Sequence, residues 1–527
     1  MSIIYVYLIS NGLMLGMFFG IYCWTKHAFW VNLLLVFCLL LGGYISGVAE
    51  FPELILYSIC PLILVNILGL MFLHRPTEAN GATRYRVLFK LKKGHLILED
   101  IRRGVSIIGA AGSGKTESVV FRLMQHFSQQ QFCGIIHDYK HFELTEIAYP
   151  LFEKQGVDFR IIAFDQIFDR VNPIAPRYLQ KEENVNEVAR VLIENLLEQK
   201  EAGSTGSSKF FIDAAEGLMA GLIWKLKCSY PKYCTLPHLI ALYQYLDTQS
   251  LIAFLSSNSI SRVMADAFIS GRDSERQTAG VRSTLANALK KMSTQSIFMV
   301  LTEDAVDLNV NIAKSDTVVA VVNNPKYETA YAPVIATIIH TMTKQMSVRG
   351  AKPSFLLMEE APTIRLLNMH RIPATLRSYG ISTVYVLQDK VQNDIMYGEK
   401  ASRAILGNLS YQFFGKVNDP DTAKYYERFF ELVKRKTTSI SRGFNLNFDT
   451  RVTTGEREVA KIRAEVFFKL KPGGFVVFTD GQEQQVQFPW QPLEKRLPTP
   501  EKNYTPQDLQ ANFDRVFQEV KTLFKEN

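Results

Sequence analysis

The chain opens on three nearly unbroken apolar runs, residues 3–24, 28–48 and 54–73, each close to the ~20 residues that a helix needs to cross the hydrocarbon core of a bilayer. They predict a transmembrane anchor over residues 1–75. Pro61 falls inside the third run and Pro52 just before it, so the anchor is either three helices or a helical hairpin with one interfacial or re-entrant segment. The opening MSIIYVYLIS has neither the basic start nor the small-residue cleavage site of a removable signal peptide. Charge sets the orientation. Lys26 and His27 fall in the first turn, Glu50 and Glu53 in the second, and His74, Arg75, Arg84 and Arg86 after the third run. The positive-inside bias then puts the bulk of the chain in the cytoplasm and the N-terminus outside.

Beyond the polar stretch HRPTEANGATRYR the pattern changes. Short β-branched and aromatic runs at 104–109, 132–136 and 159–164 are each followed by a helix-like stretch, the β-α-β rhythm of a parallel sheet. From about 180 to 302 the spacing becomes helical, as in NVNEVARVLIENLLEQ, FFIDAAEGLMAGLIWKLK and LPHLIALYQYL. Strand-like runs return at 317–322, 354–358, 381–387, 411–414 and 474–478. The order predicts an α/β domain in two parts, 76–179 and 315–495, around an all-α insertion at 180–314. Residues 496–527 read as a Pro-rich charged linker and a C-terminal helix over 506–525, whose single apolar stripe predicts packing on the body.

Composition adds little to this. A length of 527 residues gives room for two or three domains. The six cysteines are scattered without CxxC spacing, which points to free packing thiols, with Cys228 and Cys234 the one candidate pair. The net charge of +8 permits a polyanionic partner, although the basic side of any bilayer protein contributes to the same excess.

The strongest chemical signal is Gly109-Ala110-Ala111-Gly112-Ser113-Gly114-Lys115-Thr116, a full GxxxxGK[ST] match between a strand at 105–108 and a helix at 117–127 that Glu117 opens. Such a loop wraps phosphates with inward N–H groups at a helix N-terminus, its lysine reaches the β- and γ-phosphates, and its threonine ligates Mg²⁺. ATP and Mg²⁺ are therefore the expected cofactors. Phosphoryl transfer also needs carboxylates at a neighbouring strand tip. The run 354–358 ends in Glu359, in the metal-side place where Asp is usual, and Glu360, in the water-orienting place. Gln388, at the end of 381–387, is placed to sense the γ-phosphate or is simply a surface glutamine. Arg377 is either a finger offered to a neighbouring subunit or a helix C-terminal arginine facing the dipole.

With these residues in place, the chain resembles the type IV coupling proteins, the inner-membrane ATPases of conjugation and type IV secretion. GVSIIGAAGSGKT matches the family P-loop, and IIHDYKHFEL, with Asp138 and Lys140, resembles its second-strand D-x-K motif. KFFIDAAEGLMAGLI and RQTAGVRSTL are similar to its all-α domain, and FLLMEEAPTI to its Walker B strand. The run from Arg377 to Asn408 resembles the third motif, including Gln388, Tyr397, Gly398 and Asn408. The resemblance implies a RecA-like P-loop NTPase domain assembled as a homo-hexamer around a channel, with the all-α domain at its cytoplasmic mouth. It further implies a multi-pass protein of the bacterial inner membrane. The implied partners are DNA with its relaxase, or effector proteins, and the components of a type IV secretion channel. Glu359 departs from the family aspartate, and its longer side chain suits contact through a water. The third apolar run departs from the usual two-helix anchor.

Two other readings fit parts of the chain. One is a non-motor receptor that recruits substrate to the secretion apparatus, which the combination of Glu360, Gln388 and Arg377 disfavours. The other is an FtsK/HerA-like DNA pump, which the long helical insertion disfavours. For DNA, the candidate contacts are Arg272, Arg276 and Arg282 in the insertion, which could equally pair with Asp273 and Glu275, and Lys434-Arg435-Lys436, which is equally a solvated loop.

Overall fold

The computed structural model describes residues 84–197, 206–312, 316–442 and 450–524. Apart from Arg84 they belong to one compact unit, Tyr85–Asn527. The segments expected to span a membrane lie outside the described residues. Among the described residues no helix is long and apolar enough to cross one.

The strand-like runs do form strands. A hairpin of β1 (Val87–Lys90) and β2 (His95–Leu98) precedes β3 (Val105–Ile108), the strand that ends at the glycine-rich loop. There follow α1 (Phe121–Gln129), β4 (Cys133–Asp138), α2 (Glu143–Glu153) and β5 (Asp158–Ile162). Between β5 and the next strand, the described residues are helical or irregular. The main helices are α3 (Glu182–Leu196), α4 (Gly206–Ser229), α5 (Leu236–Tyr245), α6 (Glu275–Lys290) and α7 (Gln295–Leu301). The sheet resumes with β6 (Thr317–Val322), α8 (Glu328–Met346), β7 (Ser354–Met358), the short α9 (Ile372–Arg377) and β8 (Ile381–Leu387). Then come α10 (Lys390–Tyr397), α11 (Glu399–Gly407), β9 (Tyr411–Phe414), α12 (Pro420–Glu427), β10 (Leu432–Arg442) and β11 (Thr450–Ala460). The hairpin of β12 (Gly474–Thr479) and β13 (Gln482–Gln487) and the last helix, α13 (Pro506–Leu523), complete the order.

Nine strands make one sheet in the order β13-β12-β9-β3-β8-β7-β4-β6-β5. From β9 to β5 all neighbours run parallel, and the β12-β13 hairpin closes one edge antiparallel. A parallel sheet is covered on both faces, so its strands read as unbroken apolar runs rather than alternations; Thr317–Val322 is buried at every position. Alternate residues serve different cores. Phe355 and Leu357 pack with α1 and α2 on one face, where Phe127 stacks on Phe355 at 4.4 Å, and Leu356 joins α8 and the helical insertion on the other. The helix α3 packs on both α4 and α8, joining the insertion to the sheet.

The structure departs from the sequence expectations in two places. Lys434-Arg435-Lys436 lies on strand β10, not in a loop, in a two-stranded hairpin separate from the main sheet. That hairpin is polar on both faces, so period-2 alternation could not reveal it. The helix after the glycine-rich loop starts at Thr116 with a π-helical turn, Thr116–Val120, before α1. The Ser118 hydroxyl there bonds the Gly114 carbonyl and takes an acceptor from the first turn. As expected, Cys133, Cys228 and Cys234 are free thiols, and Cys228 and Cys234 do not pair.

Candidate active site

The glycine-rich loop leaves β3 between two strands that come much later in the chain, and their tips hold it. Gly109 N–H donates to the Leu387 carbonyl at 3.2 Å, and Ala110 N–H to the Lys416 carbonyl at 2.7 Å. A third support comes from the turn before β12, where Gly473 N–H donates to the Ser113 carbonyl at 2.8 Å. Two glycines are required by this packing. Gly114 has φ +83°, and a Cβ there would stand 2.7 Å from Gly473 N; Gly473 itself has φ +74°. The Lys115 amine turns back on the loop carbonyls, bonding Gly109 O and lying 3.4 Å from Ala110 O. Burial pulls its pKa down, although Glu360 opposes this. Thr116 is half-buried at the start of the π turn, and Glu117 is exposed.

Next to β3 in the sheet come β8, β7 and β4, so the residues after each of these strands meet at one edge, the carboxyl-end crevice where α/β sheets bind ligands. Glu359 and Glu360 follow β7 and are almost fully buried, at 3% and 2% exposure. Glu359 N–H continues the ladder to His137 O at 3.1 Å, while Glu360 takes the left-handed conformation at φ +44°. A non-glycine residue there costs about 1–3 kcal/mol, which persists where the surroundings over-determine it. Gln388 Nε2 donates to Glu360 Oε1 at 2.9 Å, and the Glu360 carbonyl accepts from Thr363 N and Oγ1 at 3.0 and 2.8 Å. Lys140 Nζ lies 3.4 Å from Glu359 Oε1 and 3.3 Å from Glu360 Oε1.

The loop carrying Lys140 is built by Asp138. One Asp138 oxygen accepts from Lys140 N at 3.2 Å; the other accepts from Leu144 N at 3.1 Å, Thr145 N at 2.7 Å and Thr145 Oγ1 at 2.6 Å. With its oxygens so occupied, Asp138 is a shaping carboxylate. Glu359 differs, because its Oε2 is buried with no hydrogen-bond partner. Burial pushes the Glu359 carboxyl up to about 8, the Asp138 charge adds to the rise, and Lys140 works against it. For Lys140, burial opposes its charge, but Glu359 and Glu360 outweigh it and raise the pKa. A buried carboxylate oxygen without a partner, near the lysine of the glycine-rich loop, fits a divalent metal carrying a phosphate.

The remaining expected residues lie elsewhere. Arg377 ends α9 before the N-terminal end of β8, at the sheet edge opposite the glycine-rich loop, with its guanidinium 3.5 Å from Asp100 Oδ2. It does not meet the loop of its own chain. Tyr397 OH donates to Ile364 O at 3.2 Å, Gly398 turns the chain between α10 and α11 at φ +80°, and Asn408 Nδ2 donates to His370 O at 2.6 Å. Two of these three therefore hold the segment after the carboxylates in place. In the insertion, Arg282 donates to Thr248 Oγ1 at 3.1 Å and Leu246 O at 2.9 Å, so it ties helices together; Arg276 is exposed. Sequence reasoning quoted Lys140 only as part of a motif and missed Gly473; the KPGG turn before β12 was the available signal for the latter.

Residues 96–485 match the family model of the type IV secretion-system coupling protein DNA-binding domain, well over half of the chain. The chain belongs to the type IV secretion-system coupling proteins. Among solved structures, this coupling protein is similar to the unbound bacterial conjugative coupling protein TrwBdeltaN70, at 13% identity and a TM-score of 0.58, covering 75% of this chain and 87% of that one. It is similar also to the plasmid coupling protein TrwB in complex with ADP and Mg²⁺, at 13% identity and a TM-score of 0.58, covering 75% and 88%. At this identity the likeness shows a shared fold. Among curated proteins no match is found.

Proposed function

We propose that this coupling protein hydrolyses ATP with Mg²⁺ and uses the cycle to pass DNA with its relaxase, or effector proteins, into a type IV secretion channel. The observation that carries this reading is the convergence of Lys140 and Gln388 on Glu359 and Glu360, beside Lys115 and the glycine-rich loop. TrwB, which has the same fold, is known in complex with ADP and Mg²⁺, and this supports the choice of cofactors. Residues 109–116 would hold the phosphates through backbone N–H groups and the following helix start, with Lys115 moving from its carbonyls onto the β- and γ-phosphates. Thr116 and Glu359 would hold the metal, which when bound neutralises charge on the transferred phosphoryl group. Glu360, fixed by Gln388, orients the attacking water and accepts its proton. Arg377, on the far sheet edge, serves as a finger only to a neighbouring copy in a homo-hexamer. Residues 1–75 anchor the chain in the bacterial inner membrane, and the helical insertion receives substrate.

The test separates binding from chemistry. Lys115→Ala abolishes binding of a fluorescent ATP analogue. Glu360→Gln keeps binding close to wild type while turnover falls about 10²–10⁴-fold, the usual contribution of a positioned base. Wild-type turnover in Glu360→Gln overturns the assignment.

A further inference from the structure

Lys140 stands where a cation is most needed and least expected. Its amine touches both members of the buried carboxylate pair, at 3.4 and 3.3 Å, while its own side chain is 35% exposed. The backbone that delivers it is strained: the next two residues, His141 and Phe142, both take positive φ, at +49° and +71°, in positions with no glycine. Glu360, on the other side of the contact, is strained in the same sense at φ +44°. Strain on both sides of one contact persists only where the surroundings enforce it. Here Asp138 enforces it with four accepted hydrogen bonds, and His141 N–H adds another to Asn323 O at 3.1 Å. A lysine needed only for solubility would not be held this way.

We propose that Lys140 is a positioning residue that competes with the divalent ion for Glu359. In the unliganded chain its ammonium bridges Glu359 and Glu360 and holds them side by side. When the metal takes Glu359, Lys140 retains Glu360, so the water-orienting carboxylate keeps two donors, Lys140 and Gln388, through the change. The inference rests on the nucleotide reading above and deepens it. Its sign follows from charge. A divalent ion is repelled by the ammonium about twice as strongly as a proton is, so removing the ammonium favours the metal even though it also favours a proton on Glu359.

The experiment uses the full chain and a fluorescent ADP analogue at fixed concentration and pH, titrated with Mg²⁺. Lys140→Met lowers the half-saturating Mg²⁺ concentration about tenfold, the lower end of what one charge at this distance does. Lys140→Arg, which keeps the charge, stays within about twofold of wild type, and turnover in Lys140→Met falls through kcat with KM little changed. Should Lys140→Met not fold, Lys140→Gln reads the same quantity, because it also removes the charge. An unchanged or raised Mg²⁺ midpoint in the uncharged variant overturns the competition. Failure of the wild-type chain to bind Mg²⁺ and nucleotide at all overturns the nucleotide reading, and the competition with it.

Discussion

At the scale of single residues, the carboxylate pair controls its neighbourhood through burial. His137, on β4 directly beneath it, is fully buried; its Nδ1 lies 2.9 Å from Glu359 O, and Nε2 has no partner. Burial lowers its pKa to about 4, against the backbone hydrogen bond that raises it. For this group alone, the unfolded chain takes up a proton near pH 6.5 that the folded chain refuses until about pH 4, so its contribution to stability falls by roughly 2 kcal/mol between pH 7 and pH 5. Glu359, whose folded pKa is raised, contributes in the opposite sense over the same range, so the effect of His137 is read as a difference between two chains. His137→Asn, which keeps a donor without the titration, gains in Tm relative to wild type as pH falls from 7 to 5; equal acid sensitivity in both chains refutes it. Residues of this kind differ in how readable they were. The glycine-rich loop and Glu359-Glu360 were legible because each motif is contiguous. Lys140 meets Glu359 only because β4 and β7 are neighbours in the sheet, and no local pattern encodes that adjacency.

At the scale of elements, the apolar strands and the helical insertion were legible from period alone, and the polar hairpin was not. Its register nonetheless carries information. Lys434 stands opposite Glu458 and Lys436 opposite Glu456, so those positions are complementary. The positions between them place Arg435 directly opposite Arg457, and Arg451 follows on the same parity opposite Ser441. Arginines at facing register positions suit a polyanionic partner. If that partner is DNA, Arg435→Gln with Arg457→Gln weakens DNA binding and reduces the magnitude of the slope of log K against log salt by about 1.4–1.8, two phosphate contacts' worth. An unchanged slope removes the hairpin from the DNA-binding surface.

At the scale of the whole unit, the C-terminal segment works as a strap. It leaves β13 at one edge of the sheet and runs along α2, where Arg496 N–H donates to Glu146 O at 2.9 Å, Arg496 pairs with Glu153, and Lys154 pairs with Glu494. It ends as α13 on α5 and α7, with Phe513 4.6 Å from Phe298 and Glu519 Oε2 2.8 Å from His238 Nε2. The expected packing of this helix on the body is what the structure has. Phe298→Ala, in a fully buried position, costs about 3–5 kcal/mol and exposes the linker to limited proteolysis before the sheet is cut; simultaneous cutting of both argues against a strap. The strand order has a consequence for how the protein is made. Both partners of β3, β8 and β9, are synthesised about 270 residues or more after it, which at ~5–20 residues per second is tens of seconds on the ribosome. Throughout that time the strand bearing the glycine-rich loop has two open edges and an apolar sequence, the condition in which nascent chains aggregate. The nucleotide site is thus among the last features of this chain to exist, and a cell that makes the protein must shield its first sheet strand until nearly all of the sheet has emerged.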